Sequence, residues 1–367
     1  MRHTQRPIIL LLSLSLAICA AERRAKNVIL FIGDAAGLGV LNAAAIYGGK
    51  PQGLFIQQMP HLGLMDTSTA SQWVTDSAAA ATAMATGQRT HNGVISQSET
   101  AVRGEKDGEP LKTLLEYAEQ YGLSTGVVTN DAPSGATAAV WYSHSNDRRK
   151  KGEIFAQMLK PRFGDGVDVV IGSGRKAVLE STRALGIDIE AGLRAKGYAV
   201  CGSLQEAPAG ANRVVVLLSD EDYDLGAAVQ RAIDILSRNP KGFFLMAESD
   251  LHTKLPARGL KRTLALDGII RETAARMKND TLIMFAADHS FDTRLRGGKR
   301  GEPLLPAASG NGDRAAPAEP NLRVGDGHTG EEVLVAAQGP GSERVRGFFP
   351  NTRLFRIMLA AYGWKAQ

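Results

Sequence analysis

Residues 74–87 read Val74-Thr75-Asp76-Ser77-Ala78-Ala79-Ala80-Ala81-Thr82-Ala83-Met84-Ala85-Thr86-Gly87, a run of small residues with one serine at its head. Asp76 is a good N-cap residue, alanine is the best helix former, and Gly87 is a natural helix stop. The pattern predicts a helix with Ser77 in its first turn, where backbone N–H groups and the helix dipole favour an anion. A serine hydroxyl in that place can attack a phosphoryl group. Taken alone, the stretch is more typical of a buried helix that Ser77 merely caps.

Composition limits the class of protein. The chain has 367 residues, of which 44% are hydrophobic and 6% aromatic, with a net charge of +5. These values are typical of a well-packed globular α/β protein with one large domain or two ordinary ones. Lysine and arginine are scattered and form no basic stripe with aromatic residues, which argues against nucleic-acid binding. A mild positive charge can still attract anionic substrates.

The N-terminus has the pattern of an export signal. A positive start at residues 2–6 precedes an apolar core at residues 8–18, and small residues at 19–21 offer a cleavage site. We therefore expect a signal peptide over residues 1–21 and an exported protein, periplasmic or secreted. The apolar core is too short for a stable membrane span. The alternative is a lipoprotein signal with a lipidated Cys19, which the bulky residue before that cysteine disfavours.

The main chain alternates between apolar runs and helical patterns. Residues 27–34 are a continuous apolar run that ends in Asp34, as expected for a parallel strand buried on both faces. Further strands are expected at 59–66, 125–129, 167–171, 214–218, 242–248 and 281–289, and helices at 111–121, 226–237 and 260–277. This rhythm predicts an α/β fold with a mostly parallel central sheet and helices on both faces. We expect one catalytic domain over residues 22–367, in which residues 297–320, rich in Gly, Pro and Ala, are an inserted surface loop.

Acidic and imidazole side chains recur at or near the ends of these strands. They are Asp34, Glu248, Asp250, His252, Asp288, His289 and, in a later Gly-rich motif, His328. Carboxyl ends of parallel strands meet at one edge of a sheet, so these groups are expected to converge. Mixed oxygen and nitrogen ligands suit zinc, and oxygen ligands alone suit magnesium. Each residue also has an ordinary interpretation, such as a cap or a surface histidine, but coincidence explains the whole set poorly.

The chain resembles the alkaline phosphatases. The motifs that carry the resemblance occur in the family's order: Ile32-Gly33-Asp34, Thr75-Asp76-Ser77-Ala78-Ala79, Gly135-Ala136-Thr137, Ala287-Asp288-His289 and His328-Thr329-Gly330-Glu331. They span most of the mature sequence, and the serine motif together with the last histidine motif is a specific signal. The resemblance implies an alkaline phosphatase-like fold, hydrolysis of small phosphate monoesters through a phosphoserine, two zinc ions, one magnesium ion and a homodimer.

The resemblance also implies roles for single residues. Ser77 is similar to the family's nucleophile, and Arg148 to its phosphate-clamping arginine, with Arg149 as a rival. The implied ligands are Asp34, Asp288 and His289 for the zinc that activates Ser77; Asp250, His252 and His328 for the second zinc; and Thr137 and Glu248 for magnesium, with Asp34 bridging to that ion.

Two departures from the family pattern stand out. Glu248, Asp250 and His252 are closer together than the corresponding residues of familiar members. Residues two apart in an extended segment point the same way, so Asp250 and His252 can still bind one zinc. Gly135 stands where relatives often carry an acid or a histidine near magnesium, and a weaker magnesium affinity is therefore expected.

Other functions remain open at this stage. A phosphodiesterase, sulfatase or phosphomutase of the same superfamily would share much of the site. Ser77 argues against a diesterase, since those relatives more often use threonine, and no sulfatase modification motif is present. A non-catalytic phosphate- or metal-binding protein would bind phosphate without turnover, but a binding protein needs no nucleophile.

Overall fold

The computed structural model of the protein describes residues 24–305 and 321–366. The predicted signal peptide and residues 306–320 of the predicted loop lie outside the described residues. The strands are β1 (Asn27–Asp34), β2 (His61–Asp66), β3 (Ser124–Thr129), β4 (Val169–Gly172), β5 (Ala199–Cys201), β6 (Val214–Leu217), β7 (Phe243–Asp250), β8 (Thr281–Ala287), β9 (Ser290–Leu295), β10 (Leu322–Thr329), β11 (Val333–Gln338) and β12 (Gly347–Pro350).

Ten of these strands form one central sheet in the order β12-β2-β11-β8-β1-β7-β3-β4-β6-β5. Only β11 runs antiparallel to its neighbours β2 and β8, so the predicted mostly parallel sheet is confirmed. The strands β9 and β10 pair antiparallel in a separate ribbon. The central position belongs to β1, whose residues 28–32 are fully buried, as its unbroken apolar run predicts.

The register of β1 brings distant acids together. Asp34 at the end of β1 lies beside Asp250 at the end of β7, and Ile32 lies beside Glu248. On the other side, Gly33 pairs with Ala287, the last residue of β8. Asp288 follows that residue directly, so the carboxylate of Asp34 reaches the same edge of the sheet as those of Asp250 and Asp288, which lie more than 200 residues later in the sequence.

The helices cover the sheet in two sets. They are α1 (Leu38–Tyr47), α2 (Ser77–Thr86), α3 (Leu114–Gln120), α4 (Ala136–Ala139), α5 (Lys151–Ala156), α6 (Arg175–Arg183), α7 (Ile189–Ala195), α8 (Leu225–Leu236), α9 (Pro256–Arg276) and α10 (Thr352–Tyr362). One set comprises α3 and α4 with α2 and α10, the other α8 and α9 with α1, and both sets contact β3 or β7. Among residues 24–305 and 321–366, no helix combines the length and the apolar character that a membrane crossing needs.

Helix α2 is the centre of the first set. All ten of its residues are buried, and its alanines let it approach α4 and α10 closely. Gly87 ends the helix in the left-handed region, with φ of 73°. A Cβ at Gly87 would lie only 2.6 Å from the Phe355 ring of α10, so close packing also requires glycine here.

Some boundaries differ from the sequence-based expectation. Helix α3 starts at Leu114 rather than at residue 111, because Thr113 and Glu116 form a capping box that fixes its first turn. Strand β7 continues past Glu248 to Asp250. His328 lies on β10 of the small ribbon, which no sequence pattern predicted.

Candidate active site

Ser77 is the first residue of α2, as its surroundings in the sequence predict. The Asp76 carboxylate caps the helix by accepting a hydrogen bond of 3.0 Å from the Ala79 N–H. The Asp76 N–H in turn donates to Asn92 Oδ1 at 2.8 Å, which fixes the segment leading into the helix. Ser77 is 3% exposed, so its hydroxyl is held in a defined place at the positive end of the helix.

Asp34, Asp288 and His289 form a first set of metal-ligand groups, which we call the closed group. Their ligand atoms lie within 4.8 Å of one another. His289 Nε2 is 3.2 Å from Asp34 Oδ1, 3.4 Å from Asp288 Oδ2 and 3.3 Å from Ser77 Oγ. The structure thus brings together all three residues implied for one zinc and places Ser77 beside them.

His252 and His328 form a second set with His289 as shared neighbour, and we call these two histidines the open group. One nitrogen from each of the three rings lies within 4.8 Å of the others. His328 Nδ1 is 2.9 Å from the Thr75 carbonyl oxygen, a contact that orients the ring and leaves its other nitrogen available. The His289 and His328 rings stack with centroids 3.6 Å apart.

Asp250, expected as a ligand of the second zinc, is not among the residues whose ligand atoms lie within 4.8 Å of one another in either group, but it lies beside the open group. Its Oδ1 atom lies 2.7 Å from His252 Nδ1 and also accepts the His252 backbone N–H. Its Oδ2 atom faces Arg262 Nη1 on α9 at 3.4 Å. Arg262 is also paired with Asp222 and Glu221. Asp250 therefore contacts His252 and Arg262 in the structure.

Glu248 and Thr137 meet at the third predicted position. Glu248 is 3% exposed, and its carboxylate accepts hydrogen bonds from Thr137 and, at 2.6 Å, from Thr129 Oγ1. Burial raises the pKa of Glu248 well above its usual value, and the charges of Asp34 and Asp131 raise it further. Oxygen ligands of this kind suit magnesium.

The electrostatics of the closed group fit a bound cation. Burial raises the pKa of Asp288 to about 6, with a further contribution from Asp34. Burial lowers the pKa of His289, but the charges of Asp288 and Asp34 outweigh it and raise that pKa to about 9. Asp34 Oδ1 and Asp288 Oδ2 are buried without a hydrogen bond of good geometry. Crowded carboxylates with unsatisfied oxygens are what a divalent cation would neutralise.

The two candidate arginines point in different directions. Arg148 Nη1 lies 3.0 Å from Asp76 Oδ2, beside the start of α2. Arg149 is 76% exposed and pairs with Asp147, with 2.8 Å between Nη2 and Oδ2. Of the two side chains, Arg148 is therefore the one that contacts the residue before Ser77.

Several contributing residues could not be found from the sequence. Asn92 belongs to an Asn-Gly pair that signals a turn but not a partner for Asp76. Thr129 is simply the last residue of a predicted strand. Arg262 is one of many basic residues on a long helix, and its contact with Asp250 depends on how α9 packs.

Comparison with known proteins agrees with this geometry. The sequence profile described as alkaline phosphatase matches residues 25–209 and 209–310. The chain is 28% identical to the alkaline phosphatase of Escherichia coli (strain K12), covering 94% of this chain and 88% of that protein. It is 29% identical to the streptomycin-6-phosphate phosphatase of Streptomyces griseus, covering 97% of this chain and 95% of that one.

Solved structures show the same fold. The alkaline phosphatase of the Antarctic bacterium TAB5 superposes with a TM-score of 0.77 at 25% identity, over 94% of this chain and all of that one. A variant of that enzyme was solved with Mg bound in its M3 site. Since the family profile covers the strands that carry Asp34, Glu248 and Asp288, and both kinds of comparison span nearly the whole chain, this protein belongs to the alkaline phosphatase family and is a phosphomonoesterase.

Proposed function

We propose that this phosphomonoesterase works through a phosphoserine formed on Ser77. The observation that carries the proposal is the position of Ser77 Oγ. It is buried at the start of α2, 3.3 Å from His289 Nε2, and Arg148 contacts the preceding residue, Asp76. A hydroxyl held at a helix N-terminus among cation ligands and an arginine has the surroundings that a phosphoryl-transfer nucleophile needs.

We infer two zinc ions and one magnesium ion. The closed group would hold one zinc, and His252 and His328 the second. Glu248 and Thr137 would hold magnesium, with Asp34 shared between it and the closed group. Bound cations supply positive charge that lowers the pKa of a hydroxyl group and neutralises the transferring phosphoryl group.

The reaction divides into two displacements. Ser77 Oγ gives up its proton and forms a bond to phosphorus while the bond from phosphorus to the substrate's alkoxy oxygen breaks, and that oxygen takes up a proton and leaves as the alcohol. A water oxygen then forms a bond to phosphorus while the bond to Ser77 Oγ breaks, one water proton returns to Ser77 Oγ, and inorganic phosphate departs. The Arg148 guanidinium donates to two phosphate oxygens in each step, while Asp76 holds it beside α2. Positioning and electrostatics provide most of the rate in such a reaction.

The first test compares p-nitrophenyl phosphate with its bis-ester, using purified protein supplied with zinc and magnesium. A strong preference for the monoester, abolished by a chelator, is expected. Faster hydrolysis of the bis-ester would leave the proposed site in place but would indicate a phosphodiesterase. Binding of phosphate without turnover would favour the binding-protein alternative.

The phosphoserine is tested by quenching the enzyme in acid during turnover and locating phosphate by mass spectrometry. We expect it on Ser77. Ser77→Ala should abolish most turnover and all labelling while the metal content stays unchanged. Ser71→Ala, in a polar loop where Ser71 bonds His91, is the matched control and should behave like the unmutated protein. Near-normal activity of Ser77→Ala would contradict the proposal.

Export, a single domain over residues 22–367 and a homodimer remain predictions. Edman sequencing of the mature protein and measurement of its mass in solution test the first and the third. A lipid-modified Cys19 would instead indicate the lipoprotein alternative.

A further inference from the structure

The segment between β3 and α4 carries a carboxylate that the family resemblance does not account for. Asp131 follows β3 by two residues and precedes Thr137 by six. Its backbone is fixed on two sides. The Asp131 N–H donates to Thr129 Oγ1 at 3.0 Å, and the Asp131 carbonyl accepts from the Ser173 N–H at 2.9 Å. The position of this residue is therefore determined by two neighbouring strands rather than by a free loop.

The Thr129 hydroxyl links this segment directly to Glu248. It accepts from the Asp131 N–H and donates to Glu248 Oε2 at 2.6 Å. A single hydroxyl thus sets the distance between Asp131 and one of the proposed magnesium ligands. Movement of either residue would break a buried hydrogen bond, which is costly.

The side chain of Asp131 fills the space beside Gly135. A Cβ at Gly135 would collide with Asp131 Oδ2 and lie 3.2 Å from its Cγ. Gly135 has φ of −62°, which any residue can adopt, so backbone conformation does not require glycine at this position. Larger residues are excluded from position 135 because the Asp131 side chain occupies part of the space that their Cβ atom would need.

Several charged side chains of the proposed site act on the Asp131 carboxylate. The Asp131 side chain is exposed to water. The protein atoms around the Asp131 carboxyl group raise its pKa. The charge of Lys151 lowers this pKa, and the charges of Asp34 and Asp250 raise it. Asp131 also raises the pKa of Glu248. Because Lys151 is one ammonium among several carboxylates, the surroundings of Asp131 keep an excess of negative charge for a divalent cation.

We propose that Asp131 is a positioning residue of the magnesium site and supplies the carboxylate that a side chain at residue 135 does not. This inference rests on the proposed function, in which Glu248, Thr137 and Asp34 hold the ion. Magnesium in proteins usually keeps several of its waters, and a nearby carboxylate can accept hydrogen bonds from them. Glycine at residue 135 then leaves the space that the Asp131 carboxylate needs to lie beside the magnesium site.

The experiment measures magnesium binding rather than turnover. Protein stripped of metal and reloaded with zinc is dialysed against increasing magnesium, and bound magnesium is determined by elemental analysis. Asp131→Asn keeps the shape of the side chain and should weaken magnesium binding about 10–100-fold, the usual effect of losing an outer-shell partner. Zinc content should not change. Asp107→Asn, an acid that bonds Gln97 elsewhere, is the matched control and should bind magnesium normally.

A double-mutant cycle tests the link with Gly135. Gly135→Ala should weaken magnesium binding by displacing the Asp131 carboxylate, and adding it to Asp131→Asn should cost little more. The new Cβ would also lie 2.8 Å from the Ala132 carbonyl oxygen, so general damage to the segment would instead give additive losses. Additive losses, or unchanged magnesium binding in Asp131→Asn, would overturn the inference. Neither result would affect the phosphate labelling of Ser77. The proposal for Asp131 can therefore fail while the proposed phosphoserine stands.

Discussion

The closed group and the open group lie side by side at one sheet edge, yet they differ in charge and exposure. The side chains of Asp288 and His289 are fully buried and that of Asp34 is 14% exposed. In the open group, the His252 side chain is 24% exposed and His328 is half-buried. The closed group contributes two carboxylates, whereas the open group contributes imidazoles alone.

This difference predicts that the two proposed metal positions differ in how strongly they hold zinc. Buried carboxylates hold a cation strongly, because unpaired buried charge is costly. Neutral imidazoles near solvent hold it less strongly and allow exchange. Asp250, the carboxylate that would strengthen the open group, contacts His252 with one oxygen, while its other oxygen faces Arg262. We therefore expect the closed group to retain zinc and the open group to exchange it.

Breaking the closed group should have the largest effect. Asp288→Asn removes an anionic ligand while keeping the oxygen that accepts from the Ala35 and His289 N–H groups. We expect kcat/KM for p-nitrophenyl phosphate to fall by more than the ~100-fold that loss of an outer-shell partner costs. Zinc content should fall by about one ion, since each group is proposed to hold one. Asp292→Asn, on β9 and paired with Arg294, is the control. Full zinc occupancy of Asp288→Asn would remove this residue from the ligand set.

Breaking the open group should cost less and be partly reversible. His252→Ala should also lose about one zinc ion at limiting zinc, but added zinc should restore part of the activity, because the remaining imidazoles still bind the metal weakly. Elemental analysis and activity titrations with zinc measure both effects. His61→Ala, at the first residue of β2, is the control and should leave the zinc content and the activity unchanged. If His252→Ala keeps its zinc, the open group is not a metal position.

Arg148, the proposed phosphate clamp, contacts Asp76 at the start of α2, and its loss should have an intermediate effect. Hydrogen bonds to charged groups are worth about 1.5–3 kcal/mol, so Arg148→Ala should weaken inhibition by inorganic phosphate roughly 10–100-fold. Arg149→Ala should change it little, since Arg149 pairs with Asp147 away from Ser77. The reverse order of inhibition constants would reassign the clamp to Arg149.

The smallest expected effect sharpens the role of Asp250. Arg262→Met removes the cation that faces the Asp250 carboxylate and frees that carboxylate for the open group. Partly exposed ion pairs are worth up to about 1 kcal/mol, so zinc affinity of the open group should rise by no more than about fivefold. Competition with a chromogenic chelator measures this affinity. Adding Asp250→Asn should cancel the gain, and a gain that survives would show that Asp250 plays no part.

The sequence predicted the place of Ser77, the proposed nucleophile, and much of its surroundings. The helix at Ser77, its cap Asp76 and its end at Gly87 follow from short-range preferences that act within a few residues, and all three are present in the structure. The central strands were located with errors of a few residues for the same reason. The ribbon that carries His328 was missed because its pairing is with β9, across the inserted segment.

The sequence by itself determined which groups could reach the sheet edge, because an unbroken apolar run fixes a buried strand and the residue after it lies at the edge. Only the tertiary structure decided which of those groups lie beside one another. The order and register of the strands place Asp34 between Asp250 and Asp288, and the packing of α9 brings Arg262 to Asp250. Such contacts join residues far apart in the chain through the positions of whole strands and helices. No local preference encodes them, and this is why the contact of Asp250 with Arg262 and the place of Asp131 beside Gly135 emerge only from the folded protein.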